Sequence, residues 1–548
     1  MGRWDRYWFA PGGRSTVAIL RVAVAVSVLL SLWRIWHLPH LAAPEGVYRP
    51  VGPWMLLGRT PPPDLLVGAL WVLAWTGTLA MLVGLYARAA TAVSFAAGMS
   101  LAALSFSGNL HWSHQYNVTF IAQLALLGAR CGDTLSLDAL LRRLRGLPAH
   151  DVPRGYQWSV RLVLLAVSLM FVGAAFHKLA AGQFTLRWAL SDNLRHQLLV
   201  RFDMNGIDRP ALVDWLLEDV WHYRTAAVLN LVSQLAPLLA IVFVNRPLVR
   251  AFAGVVFVIE VLALGFVMSL WNWPWVLLAA VYVDWDRLIH RVAPPRAPAA
   301  AAATEPAAAA AAAAPARPSR AVRVFVIAFV VYELATSFIP TLDQRLNTYP
   351  FTGFPMFSAV RAARPYDEHL PYAVAGDHYE LISDLPVEPN VQRWLDYGNR
   401  NLHQVRDPAK LRARLAAVLE RAKARYPTLG IHGLRHHVAF LVAPAYPAPA
   451  RLDRHLIALT GEILPDGTFR SMLGKLTRRG VELGPQNLDA RAAHLVYFAD
   501  DRPAPIELGG SRVGDRVDVE LTADPVYVAA ELDGRRWLVG WRRTWRWE

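Results

Sequence analysis

Leu162 to Phe176 is an apolar run without a charge, and it ends in His177-Lys178 within LVLLAVSLMFVGAAFHKLAAGQFTLRW. A run of that length reads as a membrane helix. A cation at its end either snorkels to the lipid headgroups as an anchor or works in a shielded pocket. As an anchor Lys178 contributes little to stability. In a pocket, burial disfavours the ammonium, and the lysine can then take a proton as a base.

Similar runs recur along the 548-residue chain, which is 55% hydrophobic. The first, Val17 to Trp36, carries Arg21 and Arg34, both placed to snorkel at opposite ends. Further runs at Leu65–Tyr86, Thr91–Phe106, Tyr116–Leu127, Ala226–Val244, Phe252–Leu270, Trp273–Val283 and Val322–Ile339 give about nine spans. Asn117, Thr119 and Gln123 in the fourth read as polar glue between helices.

The formal charge is +14, from 56 Lys+Arg against 42 Asp+Glu. In a chain this apolar, the excess belongs to cytoplasmic loops rather than to nucleic-acid binding. Arg142-Arg143-Leu144-Arg145 and the stretch from Arg287 to Arg323 put those loops inside, with the N-terminus. An odd number of crossings then leaves the C-terminus outside. Ala180 to Tyr223, rich in arginine and tryptophan, falls on the outer side and predicts amphipathic helices against the membrane rim. The single cysteine, Cys131, excludes an intramolecular disulfide framework and a cysteine-cluster metal site. The first apolar run lacks a cleavage pattern and reads as a retained span.

The fold class expected is a polytopic α-helical membrane domain followed by an extracytoplasmic α+β or β-rich globular domain. Its divisions are residues 1–293, an Ala/Pro-rich cytoplasmic linker at 294–320, a last transmembrane helix at 321–340, and a globular domain at 341–548. In the last, Asp407 to Tyr426 predicts an amphipathic helix. His436–Val442 and Val517–Trp541 predict strands, with a hairpin turn at Asp533-Gly534. Thr348 to Ser358, TYPFTGFPMFS, reads as its junction with the membrane domain.

Two blocks carry a resemblance. SHQYNVTFIAQLALLGARCGDTLSLDALL, from Ser113, and FVGAAFHKLAAGQFTLRWALSDNLRHQL, from Phe171, resemble segments of the vitamin K-dependent γ-carboxylases. They also resemble the bacterial relatives of those enzymes, the horizontally transferred transmembrane domain proteins. The first block contains a Ser-Leu-Asp element (Ser136-Leu137-Asp138). The second places Lys178-Leu179 where the family has its Lys-Leu pair, with His177 replacing a preceding lysine.

The resemblance implies an enzyme of a bacterial inner membrane. It would couple oxygenation of reduced vitamin K, or a related quinone, to carboxylation of glutamyl residues, with O2 and CO2 as co-substrates. Its partners would be membrane lipid, the lipophilic quinone and a peptide or protein glutamyl substrate. Lys178 would be the base, in a pocket at the ends of spans four and five, roofed by the outer loop. His114 would be a second catalytic group. His111, Tyr116, His177 and Glu260 would line the quinone, and no metal is implied. Glu260, inside span seven, is also readable as a helix-packing hydrogen bond. No match to the peptide-binding region of the animal enzymes is found. Two other classes stay open: a non-catalytic membrane scaffold or binding protein on the same fold, and a transporter, for which the spans show no repeat.

Overall fold

The computed structural model describes residues 2–10, 12–36, 48, 50–58, 60–109, 114–147, 157–203, 207–292, 318–339, 349–351, 366–375, 378–381, 408–425, 427–442, 444–477, 480–483, 494–499, 502–506, 512–513, 516–518, 527–532 and 534–541. The 294–317 part of the linker and most of the Thr348–Ser358 block lie outside these.

The helices are α1 (Arg3–Trp8), α2 (Arg14–Trp36), α3 (Asp64–Val83), α4 (Ala87–Asn109), α5 (His114–Leu126), α6 (Leu137–Leu144), α7 (Gln157–Ala181), α8 (Arg187–Leu190), α9 (Asn193–Asp203), α10 (Ala211–Glu218), α11 (Val220–Leu235), α12 (Pro237–Val242), α13 (Pro247–Met268), α14 (Trp273–Leu278), α15 (Trp285–Val292), α16 (Arg320–Phe338) and α17 (Pro408–Arg425). Among the described residues, seven helices are long and apolar enough to cross a membrane, counting Val220–Val242 as one. Pro237 interrupts that one between α11 and α12, because proline removes a backbone donor inside the helix. The remaining apolar helices, Tyr116–Leu126 and Trp273–Tyr282, are shorter. They stand where the sequence predicts spans four and eight and pack inside the bundle, α5 against α7 and α14 against α2.

Of the three polar residues read as glue in α5, Gln123 alone bonds across helices; the side chains of Asn117 and Thr119 are buried without a hydrogen-bond partner among the described residues. The Gln123 amide donates to Ser94 Oγ at 2.7 Å, the inter-helix contact its position predicts. Arg21 does not snorkel. It is fully buried and donates to the carbonyls of Cys131 at 2.6 Å and Leu135 at 2.5 Å. The guanidinium thus stays charged by taking up carbonyls of the turn that follows α5. The Ser-Leu-Asp element completes the same clamp. Ser136 caps α6 by accepting from the Ala139 amide at 3.0 Å. Asp138 accepts from the Tyr86 and Ala87 amides, at 2.8 Å and 2.9 Å, where α4 begins. These contacts give the element a structural reason to exist.

On the other side of α7's length, the Ala180–Tyr223 stretch forms α8, α9 and α10 as predicted. However, α9 is not laid on a lipid surface: Arg195, His196 and Gln197 are buried. Residues 444–452 of the C-terminal region sit on it. Arg195 donates to the Pro444 and Ala448 carbonyls, and Arg209 donates to the Ala450 carbonyl. Asp192 and Asp203 accept from the Tyr446 and Leu452 amides, each at 3.0 Å. Arg195 and Arg209 are therefore docking groups for the 444–452 segment. Burial works against the Asp192 carboxylate, but hydrogen bonds from Tyr223, the Tyr446 amide and Arg224 outweigh it and hold its pKa below the ordinary value.

The C-terminal region is α+β. A nine-stranded sheet runs in the order β2-β1-β3-β4-β13-β12-β8-β9, with β5 paired to β4, and a four-stranded sheet runs β10-β11-β7-β6. The strands are β1 (Tyr366–Ala375), β2 (His378–Leu381), β3 (Ile431–Val442), β4 (Asp453–Ile463), β5 (Phe469–Arg470), β6 (Gly474–Thr477), β7 (Gly480–Leu483), β8 (His494–Ala499), β9 (Arg502–Ile506), β10 (Arg512–Val513), β11 (Arg516–Asp518), β12 (Tyr527–Leu532) and β13 (Arg535–Trp541). β12 and β13 form the predicted hairpin, with Gly534 at φ 70° in its turn. The amphipathic helix α17 covers β3 and β4. Tyr349 and Phe351 join this region to the bundle: the Tyr349 hydroxyl donates to the Met99 carbonyl, and Phe351 meets Phe329 and Tyr332.

His437 on β3 shares a sheet face with Arg435, which pairs with the buried Glu462 at 2.9 Å. Burial, with Arg435 and Arg535 adding repulsion, pushes the His437 imidazole from 6.5 down to about 4. The unfolded chain therefore binds the extra proton between these two values, and stability falls as pH falls from about 6.5 to 4. The expected loss is on the order of 2 kcal/mol, from about 1.4 kcal/mol per unit discounted for partial exposure. Amide exchange of β3 and β4 measured at pH 7 and pH 5 checks this. His437→Gln should flatten the pH dependence; an unchanged slope in that variant refutes the assignment.

Candidate active site

Lys178 lies in the last turn of α7, which continues past Phe176 to Ala181, and it is 2% exposed. It is therefore a buried amine and not an interfacial anchor. Its Nζ donates to Asn230 Oδ1 at 2.6 Å and to Gln234 Oε1 at 2.9 Å. Both partners stand on α11, one turn apart. The Trp188 ring of α8 covers the same nitrogen, with its centroid at 4.5 Å. The segment that follows α7 thus lies over Lys178 through Trp188, where the sequence predicts a roof. The walls differ from the prediction: they come from α11 and α13, where spans four and five were expected to enclose the lysine.

Glu260, buried in the middle of α13, completes the cluster. It accepts from Asn230 Nδ2, from Ser233 Oγ at 2.5 Å and from Gln234 Nε2 at 2.9 Å. The carboxylate takes the donor ends of both amides, so their oxygens must face Lys178. Swapping oxygen and nitrogen in either amide would set donor against donor at Lys178 and acceptor against acceptor at Glu260. The orientation of Asn230 and Gln234 is thereby fixed by chemistry. Lys178 and Glu260 also attract each other across the amides in a low-dielectric interior.

The other predicted residues fall elsewhere. His177 is buried beside Lys178 in sequence, but about 100° away around the helix. Its ring meets Phe176 at 6.4 Å. Tyr116 stacks on Phe106 at 6.3 Å, and Phe106 in turn meets Tyr349. His111 lies outside the described residues, and His114 opens α5 with a side chain that is not described. Of the predicted residues, the structure brings together Lys178 and Glu260.

Asn230, Ser233, Gln234 and Trp188 are the site residues that sequence reasoning missed. A signal was present. Asn230, Ser233 and Gln234 recur at i, i+3 and i+4 inside an apolar span, which marks one polar helix face. Among the described residues, no group of three or more His, Cys, Asp or Glu is placed to hold a metal ion. Compared with known proteins, the chain matches no protein-family model, no curated protein and no solved structure.

Proposed function

We infer that this is an integral-membrane enzyme that oxidises a reduced quinone with O2, in the manner of the vitamin K-dependent γ-carboxylases that its two sequence blocks resemble, and that Lys178 is its base. The single observation that supports this is the hydrogen bonding at Lys178. A neutral amine has two N–H donors and one lone pair. Two amide oxygens stand at hydrogen-bond distance from Lys178 Nζ, which takes up both donors and leaves the lone pair to accept a proton. Once protonated, the ammonium is stabilised by the Trp188 face and by Glu260.

This donor set fits a neutral hydroquinone, whose hydroxyl gives its proton to an amine in a water-poor site. When bound, the reduced quinone supplies the reaction with O2 that generates the strong base for carboxylation of a glutamyl side chain by CO2. This chain's residues hold the proton at Lys178, orient the amine through Asn230 and Gln234, and fix those amides through Glu260. Glu260 is thus a positioning residue. The test is O2 uptake by the purified protein in lipid nanodiscs supplied with reduced vitamin K. Uptake with epoxide formation supports the reading, and its absence sinks it.

The alternative is a non-catalytic scaffold or binding protein. The docking of residues 444–452 on α9 favours it, since that contact builds an outer platform independent of Lys178. It predicts no O2 uptake by the unmodified chain.

The proposed topology has about nine crossings, an inner N-terminus and an outer C-terminal domain, so that Lys178 opens toward the outside. With the buried Cys131 replaced by serine, single cysteines at Ser191 and Ala302 test it. Only the first should react with an impermeant maleimide in intact cells. The reverse pattern overturns the orientation.

A further inference from the structure

The last span, α16, turns one buried stripe to the bundle: Val326, Phe329, Val330, Glu333, Thr336 and Ser337. The spacing is that of a single helix face. Its neighbour is α7. Phe325 meets Trp158 at 5.9 Å and Phe338 meets Phe176 at 4.9 Å, so the two helices run side by side. Between Trp158 and Phe176, helical spacing puts Leu162, Leu165, Leu169, Val172 and Gly173 on that face of α7. All are apolar.

Glu333 points into this environment at 1% exposure. Neither carboxyl oxygen has a hydrogen-bond partner among the described residues. Ser337, one turn further along the same face, is fully buried, and its hydroxyl also lacks a partner there. Buried polar groups are rarely left bare, and two on one helix face need a common cause. Lys178 does not supply it. It follows Phe176 by two residues and so lies roughly 200° around α7, toward α11.

An ionised carboxylate with no counter-charge against aliphatic side chains is too costly to persist, whereas the neutral acid is tolerated. A neutral carboxyl presents one donor and spare acceptor capacity, and a serine hydroxyl does the same. The cation of α7 nearest that face, Arg161, lies more than a turn below the pair and is taken up by Asn245 and the Tyr7 ring, so an anionic ligand finds no free counter-charge there among the described residues of α7. The aromatic rings of Phe176, Phe329 and Phe338 flank the pair along the two helices. That combination suits a flat, neutral, lipophilic molecule bearing hydroxyl or carbonyl oxygen.

We propose that Glu333 and Ser337 form a second ligand site in the membrane domain, on the opposite face of α7 from Lys178, which takes the hydroxyl-bearing head group of a lipophilic phenol or quinol. The site does not depend on Lys178 acting as a base.

Infrared difference spectroscopy on the full-length protein in nanodiscs tests it, with menadiol as the probe. The ligand-free protein should show the high-frequency carbonyl band of a carboxylic acid without hydrogen bonds, and Glu333→Gln should lack it. Menadiol should move the band to lower frequency. Ser337→Ala should keep the band and weaken menadiol binding at this site about tenfold, the loss expected for one hydrogen bond. Lys178→Ala must retain the shift, so a failure of the proposed enzymatic reading leaves this result standing. A missing band, a band already at low frequency from internal water, or a band unmoved by saturating menadiol overturns the proposal. The first and last readings need only the unmodified protein, so they hold even if a variant fails to fold.

Discussion

If the proposed function holds, Lys178→Ala should lower O2 consumption driven by reduced vitamin K by about 10²–10⁴-fold, the range expected when a general base is lost. The effect is large because nothing else in the described cluster can replace the amine: Asn230 and Gln234 are amides, and Glu260 is committed to three donors. Small primary amines added in solution should restore part of the rate. Lys178→Arg should not, because a guanidinium keeps its proton under all working conditions. An oxygen electrode reads both variants and the amine rescue. An alanine variant that consumes O2 at the unmodified rate would reduce Lys178 to a structural cation and remove the main support for catalysis.

The second large effect is on stability. As an interfacial anchor, Lys178 would contribute almost nothing. As a buried partner of the Asn230–Gln234–Glu260 group, it cannot be removed quietly. Lys178→Met strips the Asn230 and Gln234 oxygens of their donor and leaves the buried Glu260 carboxylate without the amine it attracts, and breaking such a buried network costs about 3–5 kcal/mol. Lys178→Met combined with Glu260→Gln should recover most of that loss, because the carboxylate then leaves with the amine. Unfolding in mild detergent, followed for the single and double variants, gives the coupling. Additive losses would mean that the two residues do not share one network.

Much of the membrane domain is legible in the sequence because its cause is local. Apolar runs find their helices within a few residues of the predicted bounds, since a backbone in lipid must satisfy its own hydrogen bonds. The hairpin at Gly534 and the helix α17 are likewise written in turn residues and periodicity. Lys178 and Glu260 stand out for a similar reason: charges are rare inside spans and invite a question.

What joins Lys178 to Glu260 is not written locally. They stand on α7 and α13, and α11 bridges them with Asn230, Ser233 and Gln234, which look unremarkable one at a time. The sequence also could not tell that Arg21 turns inward onto the Cys131 and Leu135 carbonyls, or that Arg195 and Arg209 serve the 444–452 segment. An arginine's sequence context is the same whether it reaches for lipid phosphate or for a distant carbonyl.

By itself the sequence determined where the apolar helices lie, which charges would be costly among them, and where the chain passes into a β-rich region. Those properties follow from hydropathy, periodicity and turn chemistry, each settled by neighbours along the chain. Only the tertiary structure decided which charges meet, which amides orient them, and which polar groups, such as Glu333, face an apolar wall. Those outcomes depend on how one helix is rotated against another, and that rotation is set by packing between segments far apart in the chain.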